Sequence, residues 1–315
     1  MVWPTEAPYT GHVKLQGLRA LIAIAEGGSF SEAALELGTS QSAVSNAIAE
    51  LEEELGVRLF DRGRFGAVPT SVGNRVLAHA RKVDGILDAI HQAAALAQGF
   101  LGGTVHVSAF RSAATLVLPQ VIARLGERHP GLQVVVEELP TSCTDVTAAL
   151  NDGKADLALT MSFLAEDAIF WELFSDPFVA VVRNEFRHTG PLIGLEALLA
   201  HPVILSNGPC SWPMRQELLS LDGAFEPAFA MSKDSTILGM VAQGLGVALM
   251  PELTAETLPP GVRRLDLAER VERRVGVALL PVALKVPAVR ALLGVLRQMF
   301  PQGEVPHLSE QIAVV

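Results

Sequence analysis

Four side chains within six residues, Gln41, Ser42, Ser45 and Asn46, carry only amide and hydroxyl groups. Short groups of this kind, spaced along the start of a helix, can exchange hydrogen bonds with base edges in the DNA major groove. No residue from Thr39 to Ala49 is charged, and the acids Glu50, Glu52, Glu53 and Glu54 all follow at the far end. The partial positive charge at a helix start also favours a nearby phosphate. Arg62 and Arg64 bracket Gly63 in a turn-like segment, where a wing would present two guanidinium groups to phosphate or to a minor groove. Ser31, one short helix earlier, completes the candidate DNA-contacting set. A small amphipathic helical hairpin with solvated polar faces accounts for the same spacing and stands beside this reading.

The elements that must hold these residues are legible nearby. Ser29 and Glu32 have capping-box spacing, Ala33, Ala34 and Leu37 give one apolar face, and Gly38 can end the helix in the left-handed conformation. Thr39 or Ser40 can cap a second helix, whose residues Val44, Ala47, Ile48, Leu51 and Leu55 form a stripe for a core. An earlier helix, with Leu15, Leu18, Leu21, Ile22 and Ala25 inward, ends at Gly27-Gly28. Residues 57–60 and 67–69 read as the two strands of a hairpin around the arginines.

From Leu18 to Thr70, and above all in AEGGSFSEAALELGTSQSAVSNAIAELEEELGVRLFDR, the chain resembles the winged helix-turn-helix of LysR-type transcriptional regulators. Ser42 stands where proline is common in that family, and Asn46 where Arg or Gln is frequent. Both departures fall at base-reading positions, so they bear on which operator is read.

Composition allows two or three domains in 315 residues. No apolar run is long enough to span a membrane, and MVWPTEAPYT is not a secretory leader, so a cytoplasmic location is expected. Two cysteines, Cys143 and Cys210, make no disulfide framework, and nothing spaces Cys and His as a zinc site. They read as small inert residues, although a redox role is conceivable. Net charge is −10, and residues 1–70 hold five Lys/Arg against nine Asp/Glu, 5 − 9 = −4. That balance disfavours bulk attraction to DNA and leaves placement of the charges to decide. No phosphate-binding loop, dinucleotide fingerprint, nucleophile elbow or HExxH motif is present, so neither an enzyme nor a cofactor or metal site is expected.

Thr70 can cap a long helix over residues 71–98. Val76, Val83, Ile90 and Ala97 recur every seven residues, with Ala80, Leu87 and Ala94 between them, a seam suited to pairing with a second copy. Packing on its own domain is the competing reading. After Gly99–Gly103 the pattern alternates strand and helix, which means mostly parallel sheets with helices on both faces. A helix is expected over 114–128, and a second α/β unit from about Pro177. The expected class is α/β overall. An N-terminal all-α winged helix-turn-helix and a long linker helix precede a C-terminal, two-lobed Rossmann-like domain, similar to periplasmic binding proteins.

The division by residue number is 1–14 extension, 15–70 winged head with the helix-turn-helix over about 30–49, and 71–98 linker. One lobe takes 103–175 and 274–300, the other 176–273, and 301–315 is a tail.

Ligands of open α/β sheets bind beyond the carboxyl ends of strands. The candidate effector residues are therefore Arg111, Ser112, Thr115, Thr141, Ser142, Ser206, Asn207, Gly208, Ser232 and Asp234, donors suited to a small polar or anionic molecule. Helix capping uses the same residue types. Arg111 is equally suited to a ligand carboxylate or to a neighbouring acid. The resemblance implies a dimer or tetramer on an inverted-repeat operator, an effector in the inter-lobe cleft, RNA polymerase as a further partner, and no membrane. The alternative is a small-molecule sensor whose head binds a protein instead of DNA.

Overall fold

The computed structural model describes residues 12–63, 66–138, 143–162 and 168–301. It forms two compact units that part between His91 and Gln92, with residues 151–154 joining the first.

The first unit is a three-helix head with a small wing. α1 (Leu15–Gly27) ends at Gly28 with φ 71°, and α2 (Phe30–Glu36) starts on Ser29, whose hydroxyl accepts from Glu32 N. Gly38, at φ 61°, supplies the left-handed turn, and Ser40 rather than Thr39 caps α3 (Gln41–Leu55) by accepting from Ala43 N. Val44, Ile48 and Leu51 of α3 are buried against Ala20, Leu21 and Ile24 of α1. Of the expected α1 stripe, Leu21 is fully buried and Leu18, Ile22 and Ala25 pack against the same core, whereas Leu15 is 47% exposed; Gly17, Ala20, Ala23 and Ile24 join the inner face. A Cβ on Gly17 would lie 3.3 Å from Leu51 Cβ, so a glycine stands where α3 comes close.

β1 (Phe60–Gly63) and β2 (Gly66–Pro69) form the antiparallel wing. Thr70 caps α4 (Ser71–Ala97) through Gly73 N. The expected seam of α4 is divided by the fold. Of its residues, Ala80 is buried in the head core with Val76 against it, whereas Ile90 stays 59% exposed; beside the seam, Leu77 is buried and Ile86 is 49% exposed.

The second unit is a ten-stranded sheet in the order β4-β3-β5-β12-β6-β10-β8-β9, with β11 on β6 and β7 on β11. On one side lie β3 (Gly102–Ala109), β4 (Gly131–Glu138) and β5 (Leu157–Met161), all parallel. On the other lie β8 (Val203–Ser206), β9 (Phe229–Met231) and β10 (Val247–Pro251), again parallel. β7 (Leu192–Ile193) and β11 (Val262–Leu267) complete that side. Two antiparallel strands, β6 (Ile169–Arg183) and β12 (Glu272–Leu279), join the sides.

α5 (Arg111–Leu116), α6 (Leu118–Arg128), α7 (Cys143–Asn151) and α11 (Pro287–Met299) accompany the first lobe; α8 (Leu195–Leu199), α9 (Trp212–Leu221) and α10 (Asp234–Ala242) accompany the second. One apolar core fills the first lobe, and two cover opposite faces of the second.

The helix expected from Ala114 starts instead at Arg111 and breaks between α5 and α6, where Pro119 lacks the donor a continuous helix needs. The second α/β unit, expected from about Pro177, has no separate first strand: one fifteen-residue strand, β6, runs through both lobes. Gln92, on the last turns of α4, is 6% exposed and its side-chain oxygen accepts from Ala288 N at the start of α11. Gly103 has φ 126°, and a Cβ there would fall 2.6 Å from Gln92 Nε2. No described helix is long and apolar enough to cross a membrane.

Candidate functional sites: the reading helix and the inter-lobe cleft

The two halves of α3 behave differently. Gln41, Ser42 and Asn46 are exposed and Ser45 is half-buried, all on the first turns. Ser42 Oγ lies 2.9 Å from Ser40 Oγ, and among the described residues Gln41 and Asn46 make no side-chain hydrogen bond. The acids of the second half hold the scaffold. Glu50 pairs with Lys14 at 2.8 Å, which raises the Lys14 pKa. Glu52 Oε1 accepts from Leu59 N at 2.7 Å and from Phe60 N at 3.3 Å, fixing the start of the wing. Ala67 N donates to Gly28 O, tying the far side of the wing to the end of α1. Two of the four acids at the end of α3, Glu50 and Glu52, are thus engaged within the head, away from the uncharged turn. Arg62 pairs with Ala67 across the wing; Arg64 lies outside the described residues. Ser31 is exposed on the first turn of α2.

In the second unit the candidate residues separate into three groups. Ser112, on the first turn of α5, is 8% exposed and its hydroxyl accepts from Arg273 Nη2 at 3.1 Å. Arg111 bridges to Glu138 at 3.2 Å, with both side chains more than a third exposed, so of its two expected roles the internal one is occupied. Thr115 is exposed on the same helix.

Ser206 and Gly208 belong to a self-capping loop. Ser206 Oγ accepts from Gly208 N, and Ser211 Oγ donates to the carbonyls of Ser206 and Gly208. Asn207 and Ser232 are exposed. Asp234 opens α10, is half-buried, and makes no side-chain hydrogen bond among the described residues. Burial raises its pKa, against the pull of Arg273 and Arg111. Thr141 and Ser142 lie outside the described residues.

Sequence reasoning missed the centre of this region. Asp176 on β6 and Arg273 on β12 are 3% and 2% exposed and form a 2.7 Å ion pair. The guanidinium also sits 4.8 Å from the Phe110 ring centroid. Burial lowers the Arg273 pKa while Asp176 counters it. Locally, Asp176 is a single charge before an apolar run, and Arg273 is hidden in the charged triplet Glu272-Arg273-Arg274. Trp171 is buried in the first lobe with Arg297 over its ring, whereas Trp212 is 51% exposed. Cys210, in the short helical turn before α9, is disulfide-bonded, which corrects the reading of two inert thiols; the Cys143 side chain is outside the described residues.

Two family models cover nearly the whole fold. "Bacterial regulatory helix-turn-helix protein, lysR family" matches residues 15–74, and "LysR substrate binding domain" matches residues 98–301. A probable HTH-type transcriptional regulator, LrrA of Synechococcus elongatus, is 42% identical over 286 residues, covering 90% of this chain and 97% of that protein. Among solved structures, a full-length OxyR variant from Pseudomonas aeruginosa superposes with a TM-score of 0.74 at 24% identity, covering 94% of this chain and 99% of that one. Full-length CbnR in complex with its target DNA gives 0.64 at 19% identity, covering 90% and 99%. With the head matched by one model, the two-lobed unit by the other and the whole length by a close relative, the chain belongs to the LysR family of DNA-binding transcriptional regulators.

Proposed function

We propose that this regulator reads an inverted-repeat operator through the first turns of α3, as a homo-oligomer. Gln41, Ser42, Ser45 and Asn46 would contact base edges, with Ser31, Arg62 and Arg64 holding the backbone. The observation that carries this is the uncharged, exposed start of α3, whose Gln41 and Asn46 side chains have no bond within the described protein. The exposed Ile86 and Ile90 of α4 support pairing of two linker helices, which sets two heads on half-sites about one helical turn or more apart. A small polar or anionic effector bound between the lobes, near Ser112, Asn207, Ser232 and Asp234, would shift the population of lobe arrangements and with it the spacing of the heads and contact with RNA polymerase. The site of action is the cytoplasm, where the operator is.

Asn46→Ala tests the reading. Its expected effect is a loss of ~1–3 kcal/mol on the cognate operator in a mobility-shift titration, with random DNA bound as before. Equal losses on both DNAs exclude base reading at this position.

A second reading is favoured by the Cys210 disulfide, which follows the Ser206–Gly208 loop directly. Oxidation state would then control the cleft alongside a small molecule. Operator affinity should differ with and without dithiothreitol, and Cys210→Ser should abolish the difference. The same affinity in both conditions overturns this reading.

A further inference from the structure

The two lobes are joined by β6 and β12, and one buried ion pair lies where those strands leave the first lobe. Asp176 and Arg273 are direct register partners. Up to Pro177, β6 pairs with β12; from Phe178 it pairs with β10, and from Val179 also with β11. Asp176 is therefore next to the residue at which β6 changes neighbours.

The bonds of the pair run out to both lobes. Arg273 Nε donates to Asp176 Oδ2 at 2.9 Å, and Nη2 donates to Ser112 Oγ on α5 at 3.1 Å. The other Asp176 oxygen accepts from Leu253 N at 2.9 Å, in the 3-10 turn Glu252–Glu256 that follows β10. A guanidinium is a planar fork, so bonds to two partners fix its orientation and, with it, the relative positions of those partners. A buried ion pair is a poor device for stability alone, because desolvation offsets much of the attraction. Its distinctive property is fixed geometry, and here that geometry spans α5, β6, β12 and the turn after β10.

We propose that Asp176 and Arg273 form the hinge pin of the effector domain. They set the angle between the lobes, and a ligand that donates a hydrogen bond to Ser112 Oγ competes with Arg273 for that acceptor and loosens the pin. The second clause rests on the effector reading above; the first does not. Arg273 is thus a positioning residue, acting through Ser112 and Asp176.

The test is made on ligand-free, full-length protein carrying spin labels at Glu127 on α6 and Gln216 on α9, both exposed, introduced as non-cysteine reactive residues. Asp176→Asn with Arg273→Gln replaces the charge pair by amides, a double exchange that avoids a lone buried charge. The expected result is a label-to-label distance distribution that broadens and shifts by several ångström, with Ser112→Ala moving it less and in the same direction. Arg111→Ala, which breaks an exposed ion pair on the same helix, should leave it as in the parent. A parent-like distribution in the double variant overturns the hinge pin. Should that variant not fold, Ser112→Ala decides, and a parent-like distribution there overturns the proposal. Because no ligand enters the measurement, absence of any effector from a metabolite thermal-shift screen would count against the effector reading and leave the hinge result standing.

Discussion

At the start of α3, Gln41 and Asn46 reach out of the protein and bond to nothing described in it, whereas at the start of α5 Ser112 is buried and accepts from Arg273. Both are first-turn polar residues, and both are candidates for contact with a partner. The difference follows from what surrounds each. An exposed side chain is satisfied by water until DNA replaces that water, so it can be left uncommitted. A buried polar group has no such reserve and is ordinarily bonded within the protein, as Ser112 is. A buried residue that is to accept from a ligand must give up the bond it already accepts, whereas an exposed one gives up only water.

Three substitutions probe the contrast, led by the one with the largest expected effect. Asp176→Ala leaves the Arg273 guanidinium buried and unpaired, so urea unfolding of the second unit should show a loss of ~3–5 kcal/mol. A loss under ~1 kcal/mol would mean that water reaches the arginine and the cleft is open to solvent. Asn46→Ala, expected to weaken operator binding, should change the unfolding free energy of the head by no more than ~0.5 kcal/mol, since the side chain is exposed and makes no hydrogen bond among the described residues. A clear destabilisation would show that the α3 tip is committed to the fold after all. Arg111→Ala should be mild as well: its bridge to Glu138 is exposed, and such pairs contribute roughly 0–1 kcal/mol, less at high salt. A larger, salt-independent loss would move Arg111 from the exposed class to the enclosed one.

The head was legible because its signals are local. Ser29, Gly38 and Ser40 cap or turn the chain within three residues of the groups they serve. The α1 stripe was legible except at its start, where Leu15 is exposed and Gly17 buried, because nothing local announces that α3 approaches at Gly17. In the second unit, the strand and helix alternation was plain.

The start of α5 was not, because its N-cap, Phe110, has no side chain that could signal a cap. Asp176-Pro177 reads as a break in sequence, yet β6 continues, because Pro177 stands where the strand exchanges neighbours. Arg273 and Asp176 lie 97 positions apart, so their pairing depends on the completed fold.

Gln92 carries a practical consequence. A fragment cut at residue 98, where the match to the substrate-binding family begins, would look like a clean excision of the effector domain. It would discard the amide that covers Gly103 and completes the first turn of α11, 196 positions downstream. Fragments meant to report on ligand recognition should therefore begin upstream of Gln92, or their altered behaviour will be credited to the missing head when it comes from an unplugged seam.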